Sequence, residues 1–151
     1  MKLAEALLER SELKEKLMVL QNRLNANAKV QEGVEPNESP KTLLKELDDS
    51  IKRLEYLIVH INRTNEYTKN SKGVSISELI AKRDVVGQKY RVLRMFLDSG
   101  SMVVNRLTHT EIKILTTFSV AELQKTVDKL SEEMRKIDTE IQGLNWTTDL
   151  L

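Results

Sequence analysis

Apolar residues recur along this chain in alternating steps of three and four, the spacing that keeps one stripe of a helix facing a partner. A first helix is predicted from about residue 2 to about 27, with Leu3, Ala6, Leu13, Leu17, Leu20 and Leu24 on its apolar side. The turn-rich, acidic linker "KVQEGVEPNESP" follows, and Ser39-Pro40 supplies an N-cap with proline at the first helical position. The second helix, about 40–67, carries an unbroken heptad row: Leu44, Leu47, Ile51, Leu54, Ile58 and Ile61. "SISE" has the spacing of a capping box, with Ser75 and Glu78, and opens a third helix over about 76–98, with Gly100 as its terminator. A second capping box, Ser119 and Glu122 in "SVAE", opens a fourth helix over about 120–146. Its row is Leu123, Val127, Leu130, Met134, Ile137, Ile141 and Leu144.

Between the third and fourth helices the period changes. Ile112, Ile114, Thr116 and Phe118 alternate along "EIKILTTF", which predicts one short strand at about 111–118, with 28–34 as a partner for it. The fold class predicted is mainly α: a single-domain antiparallel four-helix bundle or coiled coil with one short strand or hairpin between helices 3 and 4. The recurrence is of pattern, and no repeat of the residues themselves is evident. Two strict heptad seams exceed what one small monomer needs for its core, because a globular helix usually buries a wider stripe. A homo-oligomer is therefore expected, with helix 2 or helix 4 at the interface.

Polar residues interrupt or end these seams. Arg10 occupies the slot between Ala6 and Leu13, and Arg83 the slot between Leu79 and Val86. One step past Leu24 falls Asn27; a four-residue step past Ile61 gives Asn65, with Asn62 beside it; beyond Leu144 the slot falls to Thr148. With helices alternating in direction, Arg10 and Arg83 would share a level with Asn62 and Asn65, and Asp84, Glu9 or Asp138 would supply countercharge. Two readings follow. Buried polar groups in a seam fix register and partner number; alternatively, an inter-helix Arg/Asn pocket takes a small anion such as phosphate or carboxylate.

The 151 residues suffice for one domain with a core. A net charge of +1, from 24 basic and 23 acidic residues, provides no global pull toward nucleic acid or anionic membrane. No cysteine is present, which removes disulfides, thiolate metal sites and a cysteine nucleophile. Glu5, Glu9 and Arg10 break the N-terminal apolar stretch, so no signal peptide is read there, and a cytoplasmic location is expected. His60 and His109 lack the Glu-x-x-His spacing of a bundle metal site, and no cofactor loop or nucleophile elbow occurs. "KRD" at 82–84 reads as an ion-pair surface with one buried arm, Met18, Met95, Met102 and Met134 as core filling, and Trp146 as a lid on the bundle end or an interface anchor. Enzyme activity is not expected.

The strings "KLAEALLER", "RLNANAKVQEG", "INRTN", "AKRDV", "EIK" and "LNWTT" together resemble a family of small bacterial helical proteins, some of whose members are labelled septicolysin. The resemblance implies a mainly helical protein of uncharacterised function, with no catalytic residues to carry over. The septicolysin label implies a pore-forming cytolysin, although the sequence holds no long amphipathic or alternating membrane segment. A non-enzymatic structural or protein-interaction bundle is thus the first expectation, a binder of a small anion the second, and a cytolysin the third.

Overall fold

Proline opens a helix readily, because its missing N–H would have no intrahelical partner there; Pro40 does so after an extended Ser39. The computed structural model describes residues 1–102 and 112–151 and is mainly α. Its helices are α1 (Leu3–Ala26), α2 (Pro40–Tyr67), α3 (Ile76–Ser101) and α4 (Val120–Thr147), a four-helix bundle with boundaries close to those predicted. Gly100 does not end α3. A Cβ on it would lie 2.2 Å from Phe118 Cζ, so glycine makes room for a ring that also meets Phe96 at 4.3 Å.

Residues 112–118 form no strand, and 28–34 form turns rather than a partner for one. Ile112 is 91% exposed, with Ile114 and Leu115 also open, so the alternation of branched residues buries no face. Glu111, where the strand was to begin, and His109 lie outside the described residues. The methionines also depart from expectation. Met18, Met95 and Met102 are exposed, and only Met134 of the four is half-buried.

The helices belong to two compact units. One comprises residues 1–76 and 142–151, the other residues 77–141. In the first, α1 and α2 run antiparallel: Glu9 pairs with Arg53 at 2.6 Å and Lys16 with Glu46 at 3.0 Å, so rising numbers on α1 meet falling numbers on α2, and Arg23 pairs with Glu38 just ahead of α2. The α2 seam that enters the core is Leu43, Leu47, Ser50, Leu54, Leu57, Ile61 and Thr64, all buried or half-buried. It differs from the all-apolar row of the sequence, since Leu44, Ile51 and Ile58 are exposed. Two hydroxyls are tolerated in the true seam because each bonds one turn back, Ser50 Oγ to Glu46 O at 2.7 Å and Thr64 Oγ1 to His60 O at 2.8 Å. In the second unit α3 and α4 are also antiparallel, with Lys82 on Glu133 at 3.0 Å and Arg83 on Asp138 at 3.4 Å. The predicted α4 row is the one that is buried or half-buried.

These seams disclose an internal repeat. Ile76 opens α3 73 positions after Leu3 opens α1, and Val120 opens α4 80 positions after Pro40 opens α2. Aligned from those starts, the α1 seam (Leu3, Ala6, Arg10, Leu13, Leu17, Leu20, Leu24) falls on Ile76, Leu79, Arg83, Val86, Tyr90, Leu93 and Leu97. The α2 seam falls on Leu123, Val127, Leu130, Met134, Ile137, Ile141 and Leu144. The backbone repeats as well. Ile76 N–H donates to Thr68 O (3.0 Å) and Asn70 N–H to Val74 O (2.9 Å); at the equivalent positions Leu3 N–H donates to Thr148 O and Leu150 N–H to Met1 O, both 2.9 Å. The two offsets differ because the second interhelix connection is longer, which hides the repeat from any single shift of the sequence.

Candidate functional site

Arg83 sits in the α3 seam slot, and its guanidinium is engaged by two carboxylates. Nη2 and Nε donate to Asp84 Oδ1 at 3.0 and 3.2 Å, and Nη1 to Asp138 Oδ1 at 3.4 Å. Beside it, Gly87, Gln88, Arg91 and Met134 complete an open cleft of about 370 Å³. Gly87 creates this space, since a Cβ there would come within 3.3 Å of Met134 Cε.

Arg10 is the repeat equivalent of Arg83 and is likewise half-buried. Its surroundings differ by sequence: the counterpart of Asp84 is Ser11, and that of Asp138 is Ile58. Among the described residues, no carboxylate pairs with Arg10 in its own unit. Asn62 is exposed and Asn65 half-buried. The seam slot after Ile61 goes to Thr64, fully buried, because the core seam advances by three residues there and not by four. The expected placement of Asn62 in a polar core layer is corrected accordingly, and the bonds of Arg83 run to carboxylates instead of to carboxamides.

The asparagines have backbone work instead. Asn27 is buried; its Nδ2 donates to Arg23 O at 2.9 Å and its Oδ1 accepts Glu38 N–H at 3.0 Å, fastening the linker to the end of α1. Asn70 Oδ1 accepts the N–H groups of Lys72 and Val74, both at 2.9 Å, and thereby shapes the turn in which Gly73 takes φ +79°. Thr64 Oγ1 also accepts Leu151 N–H at 3.0 Å, and His60 Nδ1 meets Leu151 O, so the C-terminal segment is held on α2. None of these polar contacts was visible from periodicity alone, which assigns a residue to a face but not to a bond.

Electrostatics follow the ion pairs. The hydrogen bond from Arg53 holds the Glu9 carboxyl below its ordinary value; Arg23 does the same for Glu38, and Lys16, with Arg23 behind it, for Glu46. The repeat equivalent of Glu9–Arg53 is Lys82–Glu133, the same bridge with its charges exchanged. Selection of opposite signs, and not of particular residues, is what the hairpin geometry demands. The α1–α2 cleft of about 420 Å³ is lined by Lys16, Lys45 and Arg53 against Glu46 and Asp49, so it offers no field of one sign.

A feature that periodicity misassigned lies on the other flank of α2. Leu44, Ile51, Ile58 and Val59 are between 39% and 51% exposed, and Ile51, Leu54, Glu55, Ile58 and Val59 line an open apolar groove of about 240 Å³. At the equivalent positions α4 carries Gln124, Ser131, Asp138 and Thr139. Trp146 also stands where the repeat has a polar residue, Glu66, and at 63% exposure it is not a buried lid.

Over residues 10–150 the chain matches a family described as a family of unknown function, DUF6847. It belongs to that family. A crystal structure described as a functionally unknown conserved protein from Corynebacterium diphtheriae is similar to this DUF6847 chain at 36% identity and a TM-score of 0.90. The similarity covers 100% of this chain and 99% of that one, so the whole helical arrangement recurs. No curated protein matches. The family and the neighbour establish an uncharacterised helical protein; neither description carries the septicolysin label. Among the described residues of this DUF6847 chain, no helix is long and apolar enough to cross a membrane, and no group of three or more His, Asp or Glu side chains is placed to hold a metal ion.

Proposed function

We propose that this chain is a non-enzymatic protein-interaction protein of the cytoplasm, and that the apolar row of α2 is its contact surface. The observation that carries this is the contrast between repeats. Two helices occupy equivalent places in equivalent hairpins; one exposes Leu44, Ile51, Ile58 and Val59, while the other carries polar residues there, Gln124 and Ser131 half-buried and Asp138 and Thr139 exposed. The α4 residues support this reading, since that hairpin is built with polar side chains at the same positions. Complete burial of a single Leu or Ile is worth about 1.5–3 kcal/mol, so the α2 row holds several kcal/mol of burial that the isolated chain leaves unused. Exposed apolar patches of this kind mark interaction sites.

Site-specific photo-crosslinking tests the reading. A photoreactive residue at Ile51 is expected to yield protein adducts in cells, whereas the same residue at Ser131 is not. Adducts of equal yield at both positions, or none at Ile51, would remove the support.

A second reading, a binder of a small anion, is favoured by Arg91, which has no ion pair among the described residues and borders the cleft beside Gly87. Phosphate at millimolar concentration should then raise the melting temperature of the wild type and not of Arg91→Ala; an unchanged wild type would dismiss it.

A further inference from the structure

We infer that the cleft beside Gly87 takes a small amino carboxylate, a free amino acid in the simplest case, with its carboxylate on Arg91 and its ammonium on Asp84. The inference rests on the small-anion reading given above and names the ligand class. Asp84, Gln88 and Arg91 follow one another by four and three residues and so share one stripe of α3, within the unit of residues 77–141. Gly87 sits one position off that stripe and is buried. A Cβ there would meet Met134 Cε at 3.3 Å, Arg91 Nη1 at 3.8 Å and Met134 Sδ at 3.9 Å. The Arg91 guanidinium is therefore folded back one turn over the glycine, beside the Met134 thioether, and lies along the cleft wall. Glycine in a helix interior is less favourable than alanine, and the room it leaves here is what lets the guanidinium lie down.

The charges in the cleft favour a ligand that carries both signs. Arg91 has no ion pair among the described residues, whereas Arg94, one turn on, is held by Asp98 at 3.3 Å. Arg83 is already answered by Asp84 and Asp138, so it adds little attraction for an anion. Both of its bonds to Asp84 go to Oδ1, which leaves Oδ2 open to a donor from a ligand. The Gln88 amide, likewise without a hydrogen bond among the described residues, can donate to a carboxylate or accept from an amine. A doubly charged anion would set its second negative charge against Asp84. A carboxylate brings one charge and accepts two parallel bonds from a guanidinium. Asp84 lies three residues, about 4.5 Å along the axis, before Gly87, the level of the Arg91 guanidinium. A molecule with its ammonium and carboxylate on one carbon spans that gap. The volume of about 370 Å³ falls near the lower end of ligand clefts, about 300–1,000 Å³. The first hairpin is built without this set: Ser11, Lys14, Glu15 and Met18 stand at the equivalent positions of α1.

The test titrates the full chain with a panel of free amino acids, with acetate and inorganic phosphate as probes of the anion alone. Melting temperature and the Gly87 amide resonance are the readouts. The best amino acid should move that resonance and bind about tenfold or more tightly than acetate or phosphate, the worth of one further charge-assisted hydrogen bond. Arg91→Ala and Asp84→Asn should each weaken it by about tenfold or more, with unchanged helical circular dichroism. Gly87→Ala should abolish the shift while keeping the helix, since alanine favours helix and its Cβ takes the space before Met134. Acetate or phosphate binding as tightly as the best amino acid, with Asp84→Asn indifferent, would overturn the inference and leave the small-anion reading standing. No shift with any probe would reject both. Amino-acid binding that Gly87→Ala leaves intact would place the ligand elsewhere and overturn the inference as well.

Discussion

Thr64→Val separates the polar role of Thr64 from its shape. The side chain is fully buried, and its hydroxyl does two things: it donates to His60 O at 2.8 Å and accepts Leu151 N–H at 3.0 Å. Valine keeps the volume and removes both bonds. Loss of the first is nearly neutral, because His60 O keeps its helical partner. Loss of the second leaves a part-buried N–H without an acceptor, at a cost of about 1–3 kcal/mol. The added methyl returns up to about 0.8 kcal/mol. The net destabilisation expected is about 1 kcal/mol, a fall of about 2–4 °C in melting temperature for a chain of this size. Amide hydrogen exchange should localise the effect, with Leu151 and its neighbours exchanging faster while the α3–α4 amides are unchanged. A variant as stable as the wild type, with protected Leu151, would refute the reasoning, since the repeat equivalent of Thr64 is Leu144 and an apolar residue would then serve equally well here.

Leu57→Ala removes a side chain of zero exposure and should cost about 2–5 kcal/mol by chemical denaturation; a loss below about 1 kcal/mol would show the α2 seam to be misplaced. Gly100→Ala, despite alanine's better helix propensity, should lower the melting temperature, because its Cβ would displace the Phe118 ring that lies 2.2 Å away; an increase would mean that the ring does not rest there. Glu9, Glu38 and Glu46 all have carboxyls held below the ordinary value of 4.5. Their contribution is present above that value and lost as pH falls through the lowered folded values. Melting temperature should therefore hold from neutral pH to about 5 and drop below the ordinary glutamate range, about 4.3. Glu9→Gln should make the acid limb shallower, and an unchanged limb would count against the Glu9–Arg53 bridge.

Helix number and helix ends were legible in the sequence because caps and prolines act locally. Pro40 and the Ser119–Glu122 box mark their helices without reference to the rest of the chain. The choice of face on α2 was not legible. Hydrophobicity selects Leu44, Ile51 and Ile58, whereas the core takes Leu43, Ser50, Leu57 and Thr64, whose two hydroxyls are satisfied within the helix. A stripe that is more apolar than the buried one is invisible as an error until burial is known. On α4 the same rule succeeded, since its outer row is polar and only one stripe competes. Of the site residues, Arg10 and Arg83 are half-buried at the slots that spacing assigned to them. Their partners were not legible, because an ion pair depends on the facing helix, where Asp138 answers Arg83 and Ile58 stands at the corresponding place for Arg10. The alternation at 112–118 misled for a related reason: a strand needs a neighbouring backbone, and periodicity cannot supply one.

The decisive measurement replaces the α2 row by the residues its repeat already uses, Leu44→Gln, Ile51→Ser, Ile58→Asp and Val59→Thr, and follows helical content together with the protein adducts formed by a photoreactive residue at Glu55, which lines the same groove. Retained helix with loss of the adducts that the unchanged row gives is the expected result. Loss of the helical signal, or adducts of unchanged yield, would contradict a row kept apolar for contact and not for folding.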